Sequence, residues 1–168
     1  MKKEDFSTGD RVVLPPYGVG VVSGIETKKV ANNQHKYYQV DFPNGSSRAY
    51  VPVAAHASVG LRPALSETEL PEIMSRLKSG KVSLPRQWAA RHRKVTEILA
   101  SGDPYRIANL AAELRRWDDE RGLPDLDRQA YARSIKLLSE EISEVMSSDP
   151  KEIKSMLESA WDGGKPSN

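Results

Sequence analysis

The chain has no cysteine. That absence removes disulfides, thiolate catalysis and every Cys-ligated zinc or iron–sulfur site. The three histidines, His35, His56 and His92, stand far apart and match no metal-ligand spacing, so neither a metal nor a cofactor is expected. Also missing are a Walker loop, a Gly-x-Ser-x-Gly nucleophile elbow and a dinucleotide fingerprint. Catalysis would need chemistry that leaves no local signature, and the expectation is a binding protein rather than an enzyme. No apolar run nears the roughly 20 residues that span a bilayer. Met1-Lys2-Lys3-Glu4-Asp5 leads into no apolar signal core, which makes the cytoplasm the expected location.

What is present is a globular composition, 38% hydrophobic and 29% charged over 168 residues. The net charge of +2 is small but unevenly spread. Lys81, Arg86, Arg91, Arg93 and Lys94 crowd residues 81–100 against Glu97 alone. The stretches on either side, from residue 64 to 80 and from 101 onward, are acidic on balance. One helix-sized segment thus holds concentrated positive charge.

Periodicity divides the chain into two segregated domains of an α+β protein, residues 1–63 and 64–168. The first reads as short strands punctuated by Gly and Pro. Arg11-Val12-Val13-Leu14 is stopped by Pro15-Pro16, and Tyr17 to Ile25 follows with glycines that suit a sharply bent strand. His35 to Phe42 alternates, Pro43-Asn44-Gly45-Ser46 is a hairpin turn, and Arg48-Ala49-Tyr50-Val51-Pro52 returns. Four or five such strands make a small Tudor- or SH3-like barrel.

After Pro63 the period becomes helical, and five helices are expected. Ser66-Glu67-Thr68-Glu69 is a capping box ahead of the stripe Leu70/Ile73/Met74/Leu77, which ends at Gly80. A second helix should run from about Leu84-Pro85 to Ala100. Asp103-Pro104 and Asp149-Pro150 are N-cap and first-position pairs. They open stripes Ile107/Leu110/Ala111/Leu114/Trp117 and Ile153/Met156/Leu157/Ala160, and Tyr131/Ile135/Leu138/Ile142/Val145 marks a long helix between them. The tail from Gly163 has the composition of a disordered end.

On the second helix, Val95, Ile98 and Leu99 form the buried stripe, and Trp88 lies on its N-terminal continuation. Trp88 is then either the last core residue or an outward contact. Arg91 and His92 beside it are poor company for a core tryptophan. An exposed tryptophan could stack on a base or wedge a step of the minor groove, with Arg86, Arg93 and Lys94 on phosphates. A plainly solvated basic face, or one that meets an acidic protein, is also open. Trp117 and Trp161 are read as packing. In the strand domain, Lys28, Lys29, Lys36 and Arg48 could meet RNA, flank an edge that pairs with a partner's sheet, or simply protect that edge.

Several blocks together resemble the CarD/CdnL family. They are Gly9 to Val22, Tyr37-Tyr38-Gln39-Val40 and Ala49-Tyr50-Val51-Pro52 in the first domain. In the second they are Leu84-Pro85-Arg86-Gln87-Trp88-Ala89-Ala90-Arg91-His92-Arg93, Leu99 to Pro104 and Asp119-Glu120-Arg121-Gly122-Leu123. The resemblance implies a bacterial transcription regulator, probing no operator sequence, whose Tudor-like domain docks on the RNA polymerase β subunit. Those contacts are strand-edge ones similar to those of transcription-repair coupling factor. It also implies a helical domain that stabilises the promoter open complex by placing its tryptophan in the minor groove at the upstream edge of the melted region. Carried onto this chain, Trp88 is the wedge, and the helix around it adds Arg86, Arg91, Arg93 and Lys94 as phosphate contacts. Lys28 and Arg48, Ala49, Tyr50, Val51 and Pro52 fall where family members contact polymerase, although some members carry a basic residue in place of Tyr50. The partners expected are therefore RNA polymerase and promoter DNA, read with little sequence preference by a monomer. An RNA- or ribosome-associated small-barrel protein is the alternative class.

Overall fold

The computed structural model describes residues 6–15, 17–43 and 47–161. The expected Asn44-Gly45 turn, Pro16 and the tail from Gly163 lie outside them. The chain divides into two compact units, Met1–Ala64 and Leu65–Asn168, each with its own apolar core.

The first unit is a five-stranded antiparallel sheet in the order β4-β3-β2-β1-β5. Its strands are β1 (Arg11–Leu14), β2 (Gly18–Val30), β3 (Asn33–Asp41), β4 (Arg48–Pro52) and β5 (Arg62–Pro63). A 3-10 turn (Val53–Ala55) and the short helix α1 (His56–Val59) link β4 to β5. Alternation decides the faces. Tyr38, Val40 and Val51 turn inward with Val12 and Val22, while Tyr37, Gln39 and Asp41 form the outer row opposite Pro52, Tyr50 and Arg48. Gly20 is a place where only glycine fits. A Cβ there would sit 2.7 Å from Val40 Cγ1 and 2.9 Å from the Asp41 carbonyl.

Strands β2 and β3 are longer than the pattern of Tyr17–Ile25 and His35–Phe42 suggests. They continue as a ribbon to Val30 and back from Asn33, joined by Ala31 and Asn32 at φ 49° and 66°. Two successive left-handed residues are what a tight hairpin needs. Alanine disguises the turn, because it is not a residue that normally signals positive φ.

The second unit holds α2 (Leu70–Ser79), α3 (Trp88–Ser101), α4 (Pro104–Arg121), α5 (Asp125–Met146) and α6 (Pro150–Ser159). Helix α4 packs against α2, α3 and α5, and α6 packs on α5. Ile107, Ala108, Leu110, Ala111 and Leu114 bury the central helix on that side. The expected caps are in place. Asp103 accepts from the Tyr105 amide at 2.9 Å and Asp149 from the Lys151 amide at 2.8 Å, each ahead of a first-turn proline. The Glu69 carboxylate accepts from the Ser66 amide at 2.9 Å, the returning half of the capping box. Gly80 ends α2 in an extended rather than left-handed conformation, and glycine is needed there because a Cβ would strike Asn109 of α4. Trp117, expected in the core, is only half-buried at the rim of the cluster. No described helix is long and apolar enough to cross a membrane.

The capping carboxylate also ties α2 to α4, since the Tyr105 hydroxyl donates to Glu69 Oε1 at 2.7 Å. Acceptance by an anion favours the neutral phenol, which pushes the Tyr105 pKa from 10.0 up to about 12. A raised folded-state value means the contribution is complete below pH 10 and is lost as pH rises through about 12. Tyr105→Phe should cost about 1 kcal/mol in urea unfolding at neutral pH. The difference from the wild type should shrink in alkaline solution.

Candidate nucleic-acid interface

The site begins with a helix that starts later than its sequence pattern suggests. Leu84 is buried, and a residue that precedes proline is held out of the helical region by the proline ring. The carbonyls of Pro85 and Arg86 are then taken by the Arg91 guanidinium, whose Nη1 donates to them at 3.4 and 2.8 Å. Gln87 is the extended N-cap, and α3 starts at Trp88 rather than near Leu84. Trp88 is therefore a first-turn residue on an exposed end.

The other side of Arg91 explains why the end is fixed. Its Nε and Nη2 donate to the two Asp127 oxygens at 3.2 and 3.1 Å, and both side chains are 7% exposed. This buried, two-pronged pair joins the first turn of α3 to the first turn of α5. Arg91 is consequently removed from the expected phosphate contacts, because every part of its guanidinium is engaged inside the protein. Lys94 is also drawn inward. It is half-buried, and its ammonium donates to the Ser83 carbonyl at 2.7 Å.

Trp88 is 51% exposed, so it is a surface group and not the end of the core stripe. His92, one turn on, stacks against one face of its ring at 5.5 Å with the planes 9° apart. His92 thus covers part of the indole, and about half of Trp88 remains open to solvent. Arg86 and Arg93 are exposed and, among the described residues, have no side-chain partner. The α3 N-cap makes no side-chain bond to the first-turn amides, and that turn contains no acidic residue. Uncapped amides at the positive end of a helix attract anions. A flat apolar blade thus stands at a bare helix N-terminus, with the exposed Arg86 two residues before it and the exposed Arg93 about a turn further along α3.

The other expected contact residues meet on the outer face of the sheet. The Lys28 ammonium lies 3.6 Å above the Tyr50 ring, reaching across β3 from β2 to β4. Arg48 donates to both Asp41 oxygens at 2.7 and 3.4 Å. That bond holds the Asp41 carboxyl below its ordinary range and raises Arg48. Strand β4 is an edge strand, so its outer backbone groups have no neighbour in the sheet. Ala49 and Val51 turn toward the core, an orientation compatible with the strand-edge contacts expected of Arg48 to Pro52. Any contact they make must go through the backbone. Among the described residues no cluster of His, Asp or Glu is arranged to hold a metal ion.

Residue pairs far apart in sequence were beyond reach of pattern reading. Asp127 gave no sign of its role, and neither did the clustering of Arg86, Arg121 and Arg128 around one cleft.

Comparison with known proteins adds independent findings. Residues 72–158 match the model of the CarD C-terminal domain, and residues 6–64 match that of the CarD-like/TRCF RID domain. The candidate transcription factor YdeB of Bacillus subtilis (strain 168) is 23% identical over 150 residues, covering 89% of this chain and 98% of YdeB. The solution NMR structure of the 72-residue N-terminal domain of Myxococcus xanthus CarD is 28% identical to the chain segment it matches. That match covers 38% of this chain and 84% of the domain, with a TM-score of 0.32.

Arg91→Ala should be severely destabilising, by about 3–5 kcal/mol, because it leaves the Asp127 carboxylate buried without a partner. Arg93→Ala should stay within about 0.5 kcal/mol of the wild type. Thermal and urea unfolding of the two variants checks the contrast. Equal stabilities would mean that Arg91 is not the anchor.

Proposed function

Because the chain belongs to the CarD family of transcription regulators, we propose that it binds the RNA polymerase β subunit through its sheet domain and stabilises the promoter open complex with Trp88. The observation that carries the DNA half is the exposed indole at the rigid, uncapped start of α3. The polymerase half is supported by the match of residues 6–64 to the CarD-like/TRCF RID domain. The free edge of β4, with Lys28 and Tyr50 paired beside it, is the surface suited to strand-edge docking.

The mechanism is differential binding. A partly melted duplex offers a frayed step on which the free indole face can stack or wedge, and a closed duplex does not. Base stacking on an aromatic ring is worth roughly 1–3 kcal/mol. A preference of only 1.4 kcal/mol shifts the closed-to-open equilibrium about tenfold. Only such a difference between the two states can move the equilibrium, however tightly the protein binds both. Arg86, Arg93 and the first-turn amides of α3 take neighbouring phosphates, and these contacts carry no sequence information. Sequence preference therefore enters through the deformability of the wedged step. Docking on polymerase raises the local concentration, so affinity for free DNA can stay weak.

Trp88→Ala should keep its fold and its affinity for polymerase while shortening open-complex lifetime about tenfold, measured by competitor challenge on a supercoiled promoter. An unchanged lifetime sinks the wedge. Lys28→Glu combined with Arg48→Glu should weaken capture of the isolated polymerase β subunit and leave binding to naked DNA as it was. The reverse pattern would exchange the roles of the two domains.

A further inference from the structure

An open cleft of about 580 Å³ lies in the helical unit, beside the start of α3. Four of its lining residues are arginines, namely Arg86, Arg91, Arg121 and Arg128, and no carboxylate lines it. Its floor includes Trp117, whose ring carries the Arg121 guanidinium at 4.4 Å and that of Arg91 at 5.3 Å. Arg91 is neutralised by Asp127. The other three are not comparably matched. Arg121 has only a 3.4 Å contact with its exposed neighbour Glu120, and Arg86 and Arg128 have no side-chain partner among the described residues.

Three cationic side chains lining one cleft repel each other, and an anion bound in that cleft offsets the repulsion. Guanidinium is also the side chain that best matches phosphate, through paired N–H donors in a fixed fork. Arg121 is already oriented by stacking on Trp117, so less freedom is lost when it binds. With both guanidiniums over Trp117, that ring is poorly placed to stack a base. The cleft is thus built for a phosphoryl group.

We propose that the Arg86/Arg121/Arg128 cleft seats a backbone phosphate of DNA, extending the contact surface from Trp88 across α4 and α5. Arg86 lies two residues before Trp88 and lines the cleft, which connects the two. This rests on the reading of α3 as a DNA-contacting helix, yet it can fail separately. A phosphoryl group could also come from a free nucleotide, and the test separates the two sources.

The full-length chain is titrated against a fully paired duplex and against the same duplex with a three-base mismatch, over a range of salt concentrations. Arg121→Gln/Arg128→Gln should bind both duplexes about tenfold more weakly and lower the slope of log Kd against log salt by about one to two. The control Lys136→Gln/Lys154→Gln removes the same charge from exposed positions elsewhere on α5 and α6 and should leave the slope unchanged. Trp88→Ala should lose the preference for the mismatched duplex and keep the slope. Wild-type slopes in the arginine variant, or equal slope losses in the lysine control, would overturn the cleft while leaving the wedge intact. Binding of inorganic pyrophosphate that disappears in the arginine variant, with DNA slopes unchanged, would assign the cleft to a free phosphoryl ligand and overturn the DNA assignment. No binding of either duplex by the wild type at low salt would overturn the cleft, which must hold a phosphate without polymerase, and would leave the polymerase-delivered wedge standing.

Discussion

The buried Arg91–Asp127 pair is the interaction on which the helical unit's candidate surface depends. A paired charge inside a protein gains little net stability, because desolvation consumes most of the attraction. What it supplies here is position. One guanidinium satisfies both oxygens of Asp127 and two carbonyls of the segment before α3. It thereby ends the loop, sets the first residue of the helix and clamps that end to α5. An apolar replacement of similar volume could fill the space but could not hold the Pro85 and Arg86 carbonyls. The consequence is that Trp88 emerges at the first turn, stacked on His92 and exposed at the surface.

A first turn tied down in this way suits the proposed contact, which must discriminate between two states of DNA. A loosely attached indole would lose conformational entropy on insertion and surrender part of its stacking energy. An indole already in place spends little. In the proposed mechanism the cations around it act without regard to sequence, and the sheet unit offers a separate surface with an open strand edge for another protein chain. Each surface is small, and linkage through one chain lets two modest affinities act together.

Local rules made most of the architecture legible. The Asp-Pro pairs, the Ser66–Glu69 box and the inward row Tyr38/Val40 each report on neighbours within a few residues, where propensity and capping operate. The Ala31-Asn32 turn escaped because alanine seldom adopts positive φ and the flanking lysines do not announce a strand. The start of α3 was displaced because the helical period continues upstream of Trp88, while the competing claim on the Pro85 and Arg86 carbonyls comes from a side chain several residues later. Arg91 reads as a phosphate contact in the sequence for a related reason. Its charge is visible in the sequence, but its partner lies 36 positions away on α5. Trp88 shows the opposite case: its polar company and its family block both pointed outward, and the indole stands on the surface. Lys28 and Tyr50 stand far apart in the sequence, and only the register of β2, β3 and β4 makes them one feature.

In the proposed mechanism Trp88 engages DNA at an opened step, and at a promoter polymerase brings it there. Replacing Trp88 by the photoreactive p-benzoylphenylalanine and irradiating polymerase–promoter complexes tests this directly. Cross-links are expected only at nucleotides at the upstream edge of the bubble, formed in open complexes and absent from closed ones. Cross-links of equal strength in closed complexes, or to polymerase instead of DNA, would contradict it.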